Sequence, residues 1–105
     1  LLSAFSDSAI LQTISQDKQG KVMVRSEDIR EFAEFVGKQV PGKADERIQF
    51  ESIKIDGNLA SVWTPYQFYF DGKFSHCGAN SFQLVRINSE WKIQYLIDTR
   101  RRNCN

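Results

Sequence analysis

The sequence is poor in the residues that build metal and redox centres. Its 105 residues include one histidine, His76, and two cysteines, Cys77 and Cys104. The cysteines lie far apart and form no Cys-x-x-Cys pair, so no zinc spacing is present and no metal or cofactor is expected. Sequence alone does not show whether their Cα atoms come within bridging distance. Two free thiols are the expectation. Neither sign of charge dominates: 14 Lys and Arg against 13 Asp and Glu leave a net +1. That excludes the basic stripe of a strong phosphate-backbone binder, and no nucleic-acid partner is expected. No apolar run is long enough to span a membrane, so no membrane partner is expected either. The chain has no initiating Met and no visible signal peptide. It begins Leu1-Leu2-Ser3-Ala4-Phe5, as if cut into an existing strand. A cytoplasmic location is favoured, with a removed leader and a secreted or periplasmic location as the alternative.

What is present is an ordinary globular composition, 41% hydrophobic and 26% charged, with eight phenylalanines. A length of 105 residues fits one domain, taken here as residues 1–105. A domain this size buries roughly two-thirds of its unfolded surface and can hold a core without staples. The aromatic share favours a core or pocket of large flat side chains.

Short strands come first. In the run Ser8–Ile14, Ile10 and Ile14 share a face with Gln12, while Ala9, Leu11 and Thr13 share the other. A turn with Gly20 leads to a second strand carrying Val22 and Val24. The period then becomes helical. Ser26 is placed to cap a helix with Glu27 and Asp28 in its first turn. Its apolar stripe is Ile29, Phe32, Ala33, Val36 and Val40, and Pro41 stops it near Gln39. The remainder alternates with period two. A strand over 47–55 leads to Asp56-Gly57, a strand over 59–70 to Asp71-Gly72, a strand over 73–87 to Asn88-Ser89, and a last strand follows. Asp-Gly between alternating runs is a strong hairpin signal, so three hairpins make a four-stranded meander. Pro65 and Gly78 interrupt the two long strands and mark bulges or bends. The predicted fold is α+β: a cone-shaped, strongly curved antiparallel sheet, mostly a meander, packed on one amphipathic helix. The space left over is a candidate pocket.

Period two also sorts the faces. Phe74, His76, Gly78, Asn80, Phe82 and Leu84 share one face, which points His76 inward and Cys77 outward. A thiolate–imidazolium pair is therefore not expected. In the last strand Trp91, Ile93, Tyr95, Ile97 and Thr99 form the core face. Asp98 and Arg100 then fall outward, unless a bulge re-aims them. Val62, Thr64, Tyr66, Phe68 and Phe70 share a face opposite Trp63, Gln67 and Tyr69. Aromatics on both faces suggest a homodimer through the outer sheet face. Arg100, Arg101 and Arg102 are either the solvated end of the last element or an anion clamp at a pocket mouth.

The segment KIDGNLASVWTPYQFYFDGKFSHCGANSFQLVRINSEWKIQYLIDTRR, residues 54–102, resembles the nuclear transport factor 2-like superfamily, which includes ketosteroid isomerase, scytalone dehydratase and polyketide cyclases. The runs IDGxxAxVW, DGKFSHCG, FQL and WKIxYxxDTRR look like bacterial members often labelled lumazine-binding-like. The likeness covers about Val22 to Arg102. It implies a pocketed, commonly dimeric domain, and it fixes no reaction, because this fold hosts enzymes and non-enzymes alike. The family usually places one or two helices before the first strand, and this sequence begins without them, N-terminally incomplete relative to the family.

Three functions are expected in order. The first is a small-molecule-binding domain for an apolar or aromatic ligand, its pocket lined by Phe32, Tyr66, Tyr69, His76, Phe82, Trp91 and Tyr95. The second is a cofactor-free isomerase, dehydratase or cyclase. The resemblance implies His–Asp chemistry there, with His76 and Asp98 as catalytic acid and base and a tyrosine hydroxyl, Tyr66 or Tyr69, as oxyanion donor. The third is a dimerising scaffold without a ligand.

Overall fold

Turn residues with positive φ divide the chain of the computed structural model, which describes residues 2–38 and 43–104. A short 3-10 turn, Leu2–Ala4, precedes strand β1, Phe5–Gln16, which pairs antiparallel with β2, Val22–Glu27. Asp17 closes the turn between them by accepting from the backbone N–H of Gln19 and Lys21, and Gly20 takes φ +82°. Helix α1 is Ile29–Gly37.

The helix starts later than its sequence pattern suggests. Asp28 is the N-cap, its carboxylate accepting from the Glu31 N–H at 3.0 Å. Ser26 instead stays in β2, opposite Gln12, whose side-chain amide donates to its hydroxyl. Pairing with β1 holds the chain extended through Glu27, which outweighs the capping preference of Ser26. The expected stop near Gln39, set by Pro41, lies outside the described residues.

Five strands follow: β3, Ala44–Ile48; β4, Ser52–Asp56; β5, Leu59–Phe70; β6, Lys73–Ile87; and β7, Glu90–Thr99. The hairpins form where the turn chemistry demands them. Asp71 and Gly72 take φ 54° and 79°, and Asn88 and Ser89 take 53° and 68°. The strand expected over 47–55 is broken in two, and Pro65 supplies the reason. The carbonyls of Trp63 and Pro65 accept from Glu51 and Gln49 on that edge of β5. The N–H that proline lacks would point to the same edge, so the ladder cannot run through.

The sheet order is β2-β1-β7-β6-β5-β3, with β4 also paired to β5. One pairing, β1 with β7, is parallel; the others are antiparallel. The result is an open, curved α+β sheet with one helix laid over it.

Two register shifts decide which side chains face inward. Between β5 and β6, Phe68 pairs with His76 but Tyr69 pairs with Phe74, leaving Ser75 as the extra residue. Phe74 therefore leaves the face of His76 and joins Tyr69 outside, its ring edge-on to that tyrosine. Between β6 and β7, Gln83 pairs with Tyr95 and Leu84 with Ile93, leaving Gln94 extra. Beyond this bulge, Phe82 faces Leu96 and Asn80 faces Asp98. The bulge thus turns Leu96, Asp98 and Arg100 inward and Tyr95, Ile97 and Thr99 outward, reversing the simple parity of β7.

Gly78 is not a bulge, since pairing runs unbroken through it. It is a site of close backbone approach, where a Cβ would collide with the carbonyl of Thr99. The same register carries past Thr99, where Cys77 and Arg101 exchange backbone hydrogen bonds of 2.9 and 2.8 Å. That bridge brings Cys104 back over the sheet, and it forms a disulfide with Cys77 at a Cα separation of 6.1 Å. The expectation of two free thiols is corrected: the tail continues the β7 register, which sequence spacing cannot display.

Candidate functional site

The inner faces of β1, β3, β5, β6 and β7, the end of β2 and the helix line an open cavity of about 630 Å³. Its walls are mainly apolar: Leu11 from β1, Phe68 and Phe70 from β5, Phe82 from β6, Leu96 from β7, and Phe32, Phe35 and Val36 from α1. Each strand contributes alternate residues, as the pleat requires. A small polar set interrupts this lining: Thr13, Glu27, Glu46, Tyr66, His76, Asn80, Asp98 and Arg100.

The polar groups are arranged around the β5–β6–β7 register. Thr64, only 1% exposed, accepts from the Asn80 side-chain amide at 3.1 Å. Tyr66 is 4% exposed and donates its hydroxyl to the Thr99 carbonyl at 2.6 Å. Burial, reinforced by the charge of Asp98, holds its phenol well above its ordinary pKa. The hydroxyl is thus neutral and committed to the backbone. His76 lies between Phe68, with ring centroids 5.1 Å apart, and Tyr66, edge-on at 5.8 Å. Its Nδ1 is 3.0 Å from the Ser75 hydroxyl. Burial lowers its pKa, Arg100 and Arg102 lower it further, and Asp98 opposes them.

Asp98 and Glu46 form an acidic pair of walls. Asp98 keeps 16% of its side-chain surface exposed. Its Oδ2 sits 3.8 Å from Arg100 Nε, and its Oδ1 is buried without a hydrogen-bond partner among the described residues. Glu46 has a raised pKa, first from burial of its carboxyl against the wall and then from repulsion by Asp98; Asn80 and Arg100 act the other way. The side chain as a whole is exposed at the rim, so solvent screens this repulsion. Arg100 also reaches Glu27 at 3.8 Å and is itself half exposed.

Of the ligand-lining residues expected from sequence, Phe32, Tyr66, His76 and Phe82 meet at the cavity. Tyr69, Trp91 and Tyr95 are not brought there. Tyr69 stacks under the Arg47 guanidinium, at 4.0 Å, on the outer face. Trp91 lies near Arg86 at the far end of the sheet, 38% exposed. Tyr95 is turned away by the Gln94 bulge and donates to the Gln12 side chain at 2.7 Å. His76 and Asp98 do share the cavity, but no hydrogen bond joins them, and the imidazole is held by Ser75 instead.

Glu46 and Thr13 were not foreseen as cavity residues, and Asn80 was read only as sharing the inward face of His76. Glu46 falls in the run PGKADE, residues 41–46, which reads as a connecting loop, yet Ala44, Glu46 and Ile48 share one face of β3 opposite Phe70, Phe68 and Tyr66. A charge flanked at period two by apolar residues is the signal that finds it.

No family model matches the sequence, and no curated protein matches it. Solved structures do match. A structure of an NTF2-like protein of unknown function from Shewanella baltica superposes with a TM-score of 0.66 at 16% identity, covering 96% of this chain and 75% of that one. A domain of unknown function with a cystatin-like fold from Nostoc punctiforme gives 0.69 at 16% identity, covering 97% of this chain and 64% of that one. An NTF2-like protein of unknown function from Shewanella oneidensis gives 0.65 at 14% identity, covering 93% and 78%. At these identities the likeness establishes the fold.

Proposed function

We propose that this chain, with its nuclear transport factor 2-like fold, binds a small ligand with an apolar or aromatic body in the cavity between α1 and the sheet. The observation that carries this is the cavity itself: about 630 Å³, walled chiefly by phenylalanine and aliphatic side chains, with a few convergent polar groups. Volume and lining both match small-molecule sites. His76 supplies a directional hydrogen bond from a neutral ring, and Asp98 Oδ1 is an acceptor still lacking a donor. Native mass spectrometry of freshly purified protein tests the reading. A co-purified small molecule retained by the wild type and lost on Leu96→Arg supports it; retention by the filled-cavity variant counts against it.

A second reading is acid–base catalysis, favoured by the placement of Asp98 and His76 around one cavity. The commitment of the Tyr66 hydroxyl to Thr99 argues against that tyrosine as an oxyanion donor. Two further features belong to the proposal. Trp63 and Phe74 stay 42% and 46% exposed on the outer face, which supports a homodimer there; light scattering tests it. The Cys77–Cys104 disulfide supports residence in an oxidising compartment over the cytoplasm favoured from sequence.

A further inference from the structure

Next to the large cavity lies a smaller space of about 210 Å³, walled by Ser75, His76, Arg100, Arg101 and Arg102. The two spaces share His76 and Arg100. Their charge is sharply different. The large cavity has Glu27, Glu46 and Asp98 in its walls, whereas the small one has no carboxylate. Among the described residues, neither Arg101 nor Arg102 has a carboxylate within ion-pair distance, and the two contacts of Arg100 are both long, at 3.8 Å.

The backbone that carries these arginines is fixed on both sides. Arg101 is hydrogen-bonded to Cys77 through both its backbone groups, and Cys104 is tied to the same Cys77 by the disulfide. Arg102 lies between these two anchors. The bridge sets Arg101 opposite Cys77, the chain bends at Arg102, and all three arginines reach the small space beside His76. Arg100 and Arg102 both lie close enough to His76 to lower its pKa, after the larger effect of burial. A tail of three arginines would ordinarily be mobile and solvated. Here it is held as a wall, which reduces the ordering cost of binding.

We infer that Arg100 and Arg102, with His76 and Ser75, form an oxyanion-binding site at the mouth of the apolar cavity, and that the ligand is an amphipathic anion: an apolar or aromatic body bearing a carboxylate, sulfonate or phosphate group. The site for the body rests on the ligand-binding reading above; the site for the head does not. A negative group inside the large cavity would meet three carboxylates. Placed in the small space, it meets guanidinium donors and one further donor from the Ser75–His76 pair, the hydroxyl or Nε2–H according to which of the two donates in their own hydrogen bond, while its apolar body passes His76 to reach Phe68 and Phe82.

Two fluorescent probes of matched body separate the parts: anilinonaphthalene sulfonate, which is anionic, and N-phenylnaphthylamine, which is neutral. Both are titrated into oxidised wild type and into Arg100→Gln/Arg102→Gln. The expected result is preferential binding of the sulfonate by wild type, and a loss of about tenfold in its affinity in the variant, against a change of no more than about twofold for the neutral probe, which passes Arg100 in the large cavity wall. A Lys18→Gln/Lys21→Gln control, which removes the same charge at the β1–β2 turn, should leave both probes within about twofold. Equal loss in the control, or an unchanged sulfonate affinity in the arginine variant, overturns the anion site. Failure of the neutral probe to bind any of the proteins contradicts the cavity reading; sulfonate binding that still depends on the arginines then keeps the anion site alone.

Discussion

Replacing Cys104 by serine removes the only covalent tie between the C-terminal tail and β6 among the described residues. The bridged residues are 27 positions apart. The loop-closure relation for that separation gives an entropy of about 12 cal/mol/K, or about 3.5 kcal/mol near 25 °C. For a domain of this size each kcal/mol moves the melting temperature by roughly 4–8 °C, so Tm falls on the order of 15–25 °C. The exposed side of the bridge is the better one to change. Cys77 is 3% exposed, and a serine hydroxyl there would add a desolvation penalty to the entropic effect. Differential scanning calorimetry of the oxidised wild type, the reduced wild type and Cys104→Ser measures it. The last two should agree with each other and differ from the first. A shift of less than about 3 °C in both refutes the reasoning, because it means the unfolded chain gains little freedom when the bridge opens.

Gly78→Ala should cost about 2–4 kcal/mol in urea denaturation, because its Cβ meets the Thr99 carbonyl, a backbone atom that cannot rotate away; a loss under about 1 kcal/mol would show that the two strands can separate freely. His76 has a lowered pKa in the folded state, so its contribution is full above its unfolded value of about 6.5 and is lost as pH falls through the lower folded value. Wild type should therefore lose stability between about pH 7 and pH 5 relative to His76→Gln, chiefly through burial of the ring, with Arg100 and Arg102 adding to the effect and Asp98 opposing it; parallel curves in that window contradict the placement of the imidazole. Asp98→Asn should lower the pKa of Glu46 toward 4.5, since Asp98 is one of the two causes raising it. A carboxyl-detected NMR titration reads this directly, and an unmoved or higher Glu46 value rules out the acidic pair.

Much of the fold was legible because its cues are local. Asp71-Gly72 and Asn88-Ser89 adopt positive φ and set the ends of β5 and β6 where alternation places them. What was not legible depends on pairing across strands. The extra residues Ser75 and Gln94 have no sequence mark of their own, yet they decide that Phe74 and Tyr95 leave the cavity side and that Asp98 and Arg100 join it. The parallel seating of β1 on β7 puts Leu11 and Thr13 into the wall, a contact between distant segments that no period reveals. The disulfide follows the same rule: it is a consequence of the β7 register running on to Arg101. Pro65 carried its information correctly as an interruption, but of the neighbouring edge strands rather than of β5 itself. His76 was read inward from parity, and it lies at the cavity with Phe82 as that parity requires.

The proposed ligand seats its apolar body in the space between α1 and the inner sheet face. Chemical-shift mapping with N-phenylnaphthylamine on isotope-labelled protein tests it most directly. Perturbation of Phe32, Tyr66, His76, Phe82 and Leu96 is expected, with Tyr69, Trp91 and Tyr95 silent. Shifts confined to Tyr69, Trp91 and Tyr95, or no shifts at saturating probe, would contradict it.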